Sequence, residues 1–197
     1  VLITGGLGNL GSWITKYFLK QNFNVYVLTR NTNDNISLPG ANIIEVDITD
    51  IAMLREMLNF GIDFCVHAAS YNEHFEDNYP QQALNINSLG TRNLLEVLST
   101  NSLKHFIYLS TFHVYGRTSG NIVEQTEACP INDYASTHLF AEIYVKQFGI
   151  TSNIPYSILR LTNSYGAPID VYTNKWYLIV NSLVKSAYET GKIILQS

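Results

Sequence analysis

Thr4-Gly5-Gly6-Leu7-Gly8-Asn9-Leu10-Gly11 sets three glycines, Gly5, Gly8 and Gly11, at a G-x-x-G-x-x-G spacing directly after the short apolar run Val1 to Thr4. Behind it Trp13, Ile14, Tyr17 and Phe18 recur at helical spacing up to about Lys20, so the glycines join a strand to a helix. A residue without Cβ permits a tight turn and a close approach of backbone to a ligand. The N-terminus of the helix adds free N–H groups and the positive end of a dipole. Gly5, Gly8, Asn9, Leu10 and Gly11 are therefore candidates to cradle a dinucleotide pyrophosphate, the plain alternative being a tight turn without a ligand.

The same alternation continues along the chain. Strand-like runs occur at Val25 to Thr29, Asn42 to Val46, Phe64 to His67, Lys104 to Ser110 and Pro155 to Leu161. Helical stretches lie between them: Asp50 to Asn59 with Asp50 as N-cap, Pro80 to about Ser99, and Asp133 to Gly149, where glycine suits a left-handed cap. After Tyr165-Gly166-Ala167-Pro168 come a loop, a helix from about Trp176 to Thr190 and a short run Ile193 to Leu195. Strand, helix, strand repeated in this way is the pattern of an α/β fold, a doubly wound parallel sheet of five or six strands with helices on both faces.

Composition narrows the function. The 197 residues are 46% hydrophobic and 14% charged, enough apolar material for a core without disulfides or metal. A net charge of -4 and the lack of a Lys/Arg run argue against nucleic acid or an anionic membrane as partner, and no apolar stretch is long enough to span a bilayer. Cys65 and Cys129 have no metal-ligand spacing and form at most one bridge, so a reducing compartment, the cytoplasm, is expected. The chain opens at Val1 with no initiator Met or basic flank, which reads as the absence of a signal peptide and the loss of a few leading residues. Glu73-His74-Phe75-Glu76-Asp77 reads as a solvated acidic turn rather than a metal cluster, and no metal is expected.

Two strand ends bear on the cofactor. The second reads Leu28-Thr29-Arg30-Asn31, without the acidic residue that would read the ribose 2′-hydroxyl of NAD. A guanidinium can pair with a 2′-phosphate and stack on adenine, so Arg30 favours NADP over NAD; otherwise it is a solvated loop charge. The third ends Val46-Asp47-Ile48, where Asp47 could accept from the adenine amino group or cap the following helix.

With the later strands included, the chain resembles the extended short-chain dehydrogenase/reductases, a Rossmann-fold family, and within them the nucleotide-sugar epimerase/dehydratase group. The matching stretches are Thr4 to Gly11, Asp47-Ile48, His67-Ala68-Ala69, Asn87 to Thr91, Ser110 to Gly116, Tyr134 to Glu142 and Arg160 to Gly166, in the family's order. The resemblance implies a dinucleotide-binding domain over residues 1–166 and the start of a substrate lobe over 167–197, the rest of that lobe being largely missing. It implies that Asp47, Ile48, Ala69 and Ser70 line the cofactor, that Asn87 holds the helix behind it, and that Leu161 and Thr162 approach the nicotinamide. By the same resemblance Thr111 bonds the sugar hydroxyl or ketone, Tyr134 exchanges its proton and Asn163 touches the sugar diphosphate. Pairing into a homodimer through the helices near residues 80–100 and 133–149 is a further implication.

The family's signature is Tyr-x-x-x-Lys, yet here Tyr134-Ala135-Ser136-Thr137-His138 puts histidine at the lysine position. Residues four apart share a helix face. Bringing a phenol from about 10 to near 7 requires about 4 kcal/mol of differential stabilisation, which lysine's charge helps supply; unperturbed histidine is charged only about a quarter of the time at pH 7. His138 is thus expected to bond the ribose but to activate Tyr134 less. A literal Tyr-x-x-x-Lys, Tyr188 to Lys192, crosses Gly191 at the end of the last helix and is rejected.

In the family's 4,6-dehydratases the two positions after the catalytic threonine carry an acid and a base; here they are Phe112 and His113. Phenylalanine cannot protonate a leaving hydroxyl, whereas histidine could abstract a proton next to a ketone. A buried His113 satisfied by backbone is the alternative. The leading expectation is an NAD(P)-dependent epimerase or 4-keto reductase of nucleoside-diphosphate sugars in polysaccharide biosynthesis, with His113 as a further catalytic candidate. Two others stand beside it: an inactive dinucleotide-binding sensor or scaffold, and a reductase of small non-nucleotide ketones.

Overall fold

The computed structural model describes residues 1–30, 38–71, 79–117, 119–167, 169, 176 and 178–193. Six strands, β1 (Leu2–Thr4), β2 (Val25–Thr29), β3 (Ala41–Glu45), β4 (Phe64–His67), β5 (His105–Thr111) and β6 (Tyr156–Leu161), form one sheet in the order β3-β2-β1-β4-β5-β6. Every pairing is parallel. The order reverses direction between β1 and β4, which opens a crevice at the carboxyl ends of those strands.

Alternation along the strands divides the core. Leu2, Leu28, Ile44, Phe106 and Tyr108 belong to the larger cluster with Leu54 of α2 (Ile51–Met57), Leu94 and Leu98 of α4 (Thr91–Leu98), and Ala141 and Val145 of α5 (Asp133–Thr151). Ile3, Val25, Val27 and Val66 point the other way and meet Ile14 and Phe18 of α1 (Asn9–Lys20). Successive residues of β1 thus serve opposite faces, as a doubly wound sheet requires.

The helix expected from Pro80 to Ser99 is continuous but not uniform. It runs as α3 (Pro80–Ala83), a π-helical segment (Leu84–Gly90) and α4. Such widening is rare and recurs beside functional sites. Asp50 caps α2 by accepting from Met53 N at 3.0 Å, and Asn132 caps α5 by accepting from Ala135 N at 2.8 Å.

Gly149 does not terminate α5 as expected. The helix continues to Thr151, and Asn153 takes the positive φ, at 50°. Gly149 instead faces Tyr156: a Cβ there would lie 2.1 Å from the ring, so its missing side chain lets α5 lie against β6. The last helix, α6 (Ile179–Thr190), starts later than expected at Trp176. Most of the short run at residues 193–195, the acidic turn at 73–77 and the tyrosine-rich stretch after Pro168 lie outside the described residues. Cys65 and Cys129 are both free.

Candidate active site

The crevice at the carboxyl ends of β1, β4, β5 and β6 is an open cleft of about 970 Å³. The glycine loop forms one wall. Gly5 has φ +64°, and a Cβ there would lie 2.9 Å from the Ala69 backbone, so the loop meets the end of β4 with nothing between. At Gly11 a Cβ would stand 2.1 Å from the Gly5 carbonyl oxygen. Gly8 is the N-cap of α1 and brings no side-chain cap, which leaves the first helical N–H groups for another acceptor. Gly5, Gly8, Asn9, Leu10 and Gly11 all line the cleft, and the Asn9 Oδ1 is buried without a hydrogen-bond partner.

Thr111 and Tyr134 face the same space from different elements. Thr111 is the last residue of β5, and its hydroxyl accepts from His113 N at 3.2 Å. Tyr134 lies in the first turn of α5, half-buried, oriented by the Asn132 cap. One turn on, His138 meets the Tyr134 ring edge-on, with centroids 4.6 Å apart. Leu161, at the end of β6, with Thr162 and Asn163 behind it, closes the opposite side, and Ser70 borders the cleft after β4.

His138 is only 2% exposed. Its Nδ1 is 2.7 Å from the Tyr108 hydroxyl, and its Nε2 is buried without a partner. Burial pulls its pKa down to about 4, against the opposing pull of Glu142 and together with the repulsion of His113. The ring is therefore neutral at pH 7, and the quarter charge expected of an unperturbed histidine does not apply. It brings no cation to the phenol beside it.

Beneath the cleft, Glu142 is fully buried. It accepts from Ser110 Oγ at 2.6 Å, from Arg160 Nε at 2.9 Å and from Arg160 Nη2 at 2.6 Å. The Arg160 guanidinium also lies over the Tyr115 ring, 4.6 Å from its centroid. One carboxylate thereby ties the strand ends that carry Thr111 and Leu161 to the helix that carries Tyr134.

Of the other candidates, His113 is at the cleft and Asn87, Asp47, Ile48, Ala69 and Arg30 are not among the residues lining it. His113 borders it and is exposed rather than buried, its ring 6.0 Å from that of Tyr134. Asn87 uses its amide on protein: Oδ1 accepts from Tyr71 N at 2.6 Å, while Nδ2 donates to the Tyr71 carbonyl at 3.1 Å and to Thr137 Oγ1 at 3.0 Å. Asp47 Oδ1 accepts from Thr49 N and Oγ1, both at 2.8 Å. Ile48 is 4% exposed and packs where a Gly90 Cβ would be. Ala69 is half-buried against the glycine loop, and Arg30 is exposed at the end of β2.

The residues of this cleft fit a dinucleotide: a glycine loop a side chain would fill, uncapped helical amides, and two orphaned buried polar atoms on Asn9 and His138. Known proteins resemble the chain over nearly its whole length. The model of the NAD dependent epimerase/dehydratase family matches residues 1–196. A dTDP-D-glucose 4,6-dehydratase of Dictyostelium discoideum is 28% identical over 98% of this chain and 50% of its own length. The UDP-glucuronic acid 4-epimerase of Bacillus cereus, solved in complex with NAD, has TM-score 0.79 and 26% identity over 95% of this chain and 62% of its own. The UDP-glucose 4-epimerase of Thermus thermophilus, also complexed with NAD, has TM-score 0.78 and 26% identity over 86% of this chain and 57% of its own. The chain spans about half the length of the curated relatives it matches, 56% and 50% of the first two. Among the described residues no helix is long and apolar enough to cross a membrane, and no group of His, Cys, Asp and Glu could hold a metal.

Proposed function

The chain belongs to the NAD dependent epimerase/dehydratase family, and from that premise we propose an NAD(P)-dependent epimerase or 4-keto reductase of nucleoside-diphosphate sugars. The observation that carries it is the convergence of the Thr111 hydroxyl, the Tyr134 phenol and the glycine loop on one cleft. In this reading Gly5 to Gly11 hold the pyrophosphate, His138 Nε2 meets the ribose and Asn163 meets the sugar diphosphate. When bound, the nicotinamide would accept hydride from the reacting carbon as the carbonyl forms and give it back as the hydroxyl is restored. Thr111 orients the sugar hydroxyl, and Tyr134 takes its proton as the carbonyl forms and returns it as the hydroxyl is restored. Phe112 leaves the adjacent position without an acid for elimination, which favours epimerisation or reduction over dehydration. His113, exposed at the cleft, is the candidate base for a proton next to the ketone.

Tyr134→Phe in the whole protein tests the reading. Turnover of a nucleotide-sugar panel should fall about 10²- to 10⁴-fold, the usual contribution of a positioned acid–base group, with cofactor affinity within a few fold. An unchanged rate removes Tyr134 from the chemistry. One observation favours a second reading, a dinucleotide-binding sensor: the neutral His138 gives the phenol no cation. Tight cofactor binding with no conversion of any sugar would select it. The same family reading includes a homodimer, supported by the exposed Leu84, Leu89, Phe140 and Ile143 on the two long helices. Sedimentation of the whole protein measures it.

A further inference from the structure

Tyr108 lies in the middle of β5 and belongs to no motif. It is 1% exposed. Its ring lies at 30° to those of two buried histidines, His67 with centroids 5.5 Å away and His138 at 6.0 Å, the latter beyond the hydroxyl end of the ring. The phenol oxygen lies 2.7 Å from one nitrogen of the second histidine. It points at His138 Nδ1, and among the described residues this is the one hydrogen bond the hydroxyl makes.

The position of the proton follows from counting donors. If Nδ1 carried the hydrogen and donated to Tyr108, the Tyr108 O–H would have no acceptor in a fully buried site, and Nε2 would be a second unmet group. If Tyr108 donates to Nδ1, its own hydrogen is satisfied and the single unmet group is Nε2–H. Each buried donor left unpaired costs about 1–3 kcal/mol, so the second arrangement prevails. Tyr108 is able to hold this role because its own pKa is raised by burial and by the nearby Glu142, which keeps the O–H intact.

We infer that Tyr108 is a positioning residue that sets the tautomer of His138, fixing a neutral ring whose Nε2–H is a buried lone donor on a residue that borders the cleft, where the family carries a lysine ammonium. The groups around the ring are Tyr108 from β5, Tyr134 and Glu142 from its own helix, His113 from the turn after β5, and His67 from β4. Glu142 is already bonded by Arg160 and Ser110, which leaves Tyr108 as the group that selects the proton's place. His67 needs no help of this kind. Thr91 Oγ1 donates to the Asn87 carbonyl and so accepts from His67 Nε2–H, which leaves Nδ1 to accept from Thr4 Oγ1. The inference rests on the proposed function for the ribose contact, but the tautomer itself does not.

Long-range 1H–15N spectra of the whole protein, labelled at histidine, test both levels. At pH 7 His138 should show a protonated Nε2 and a hydrogen-bonded, unprotonated Nδ1. Tyr108→Phe keeps the ring and removes only the donor. It should return His138 to a mixture of tautomers and weaken binding of NAD or NADP in proportion to the fraction of rings in the wrong form, about twofold for an even mixture. A wild-type Nδ1–H, or a Tyr108→Phe protein with an unchanged spectrum, overturns the inference. If the spectra are as stated but neither dinucleotide binds the wild type, the proposed function fails and the Tyr108–His138 assignment stands.

Discussion

Glu142 and Arg160 meet through two hydrogen bonds, Nε to Oε1 at 2.9 Å and Nη2 to Oε2 at 2.6 Å, with the carboxylate fully buried. The fork geometry and burial make the pair costly to halve: one partner alone leaves an uncompensated buried charge. Glu142→Ala should lower stability by about 3–5 kcal/mol. The double change Glu142→Met with Arg160→Leu should recover much of that loss, because no charge is left behind. Urea midpoints for the single and double variants measure the coupling, and simple additivity would mean that the pair contributes nothing.

Acid should weaken the fold through its buried histidines. Burial holds the pKa of His67 at about 3 and that of His138 at about 4, against 6.5 when unfolded. The unfolded chain therefore binds the extra protons, and the stability each neutral ring contributes is complete above pH 6.5 and is lost as the pH falls toward 4 and 3. Between pH 6.5 and 5 each histidine should account for about 2 kcal/mol. Denaturation midpoints that stay flat across that interval would contradict the burial of both rings.

Gly11→Ala should disable the glycine loop. Its new methyl group would collide with the Gly5 carbonyl, so the loop must open to admit it. Dinucleotide affinity should drop about tenfold or more, the effect of losing one or two charge-assisted contacts to the pyrophosphate. Gly191→Ala is the control, with φ +70° and no atom near its Cβ. It should bear backbone strain without altering affinity. Calorimetric titration compares the two.

Arg30→Ala separates the two cofactors. In the proposed reading the exposed Arg30 guanidinium at the end of β2 pairs with a 2′-phosphate, a partner that NAD lacks. NADP affinity should fall about tenfold, one charge-assisted bond, while NAD affinity holds. Equal losses for both would mark Arg30 as a general contact.

Local pattern carried most of the sheet. Short β-branched runs between longer helical stretches placed six parallel strands to within a residue or two; Thr111 could be put at the cleft because it ends a central strand, and Tyr134 through the family resemblance of its helix. The π-helical turns at Leu84 to Gly90 were invisible because a widened helix keeps nearly the same apolar rhythm. Gly149 misled because the same missing Cβ serves a left-handed cap or a close contact, and only the position of Tyr156 decides between them. The tautomer of His138 was beyond reach for a related reason: in the inference above it depends on Tyr108, thirty residues upstream, which alone looks like strand filler.

The widened helix also fastens two sides of the cleft together. Asn87 grips both backbone atoms of Tyr71 and the Thr137 hydroxyl, Ser88 Oγ donates to the Thr137 carbonyl, and Thr137 Oγ1 donates to the carbonyl of Tyr134. The proton-bearing phenol and the segment leaving the fourth strand are in this way hitched to a single amide. Thermal breathing of one bank should carry the other with it, so the gap between them keeps its width while the molecule around it fluctuates.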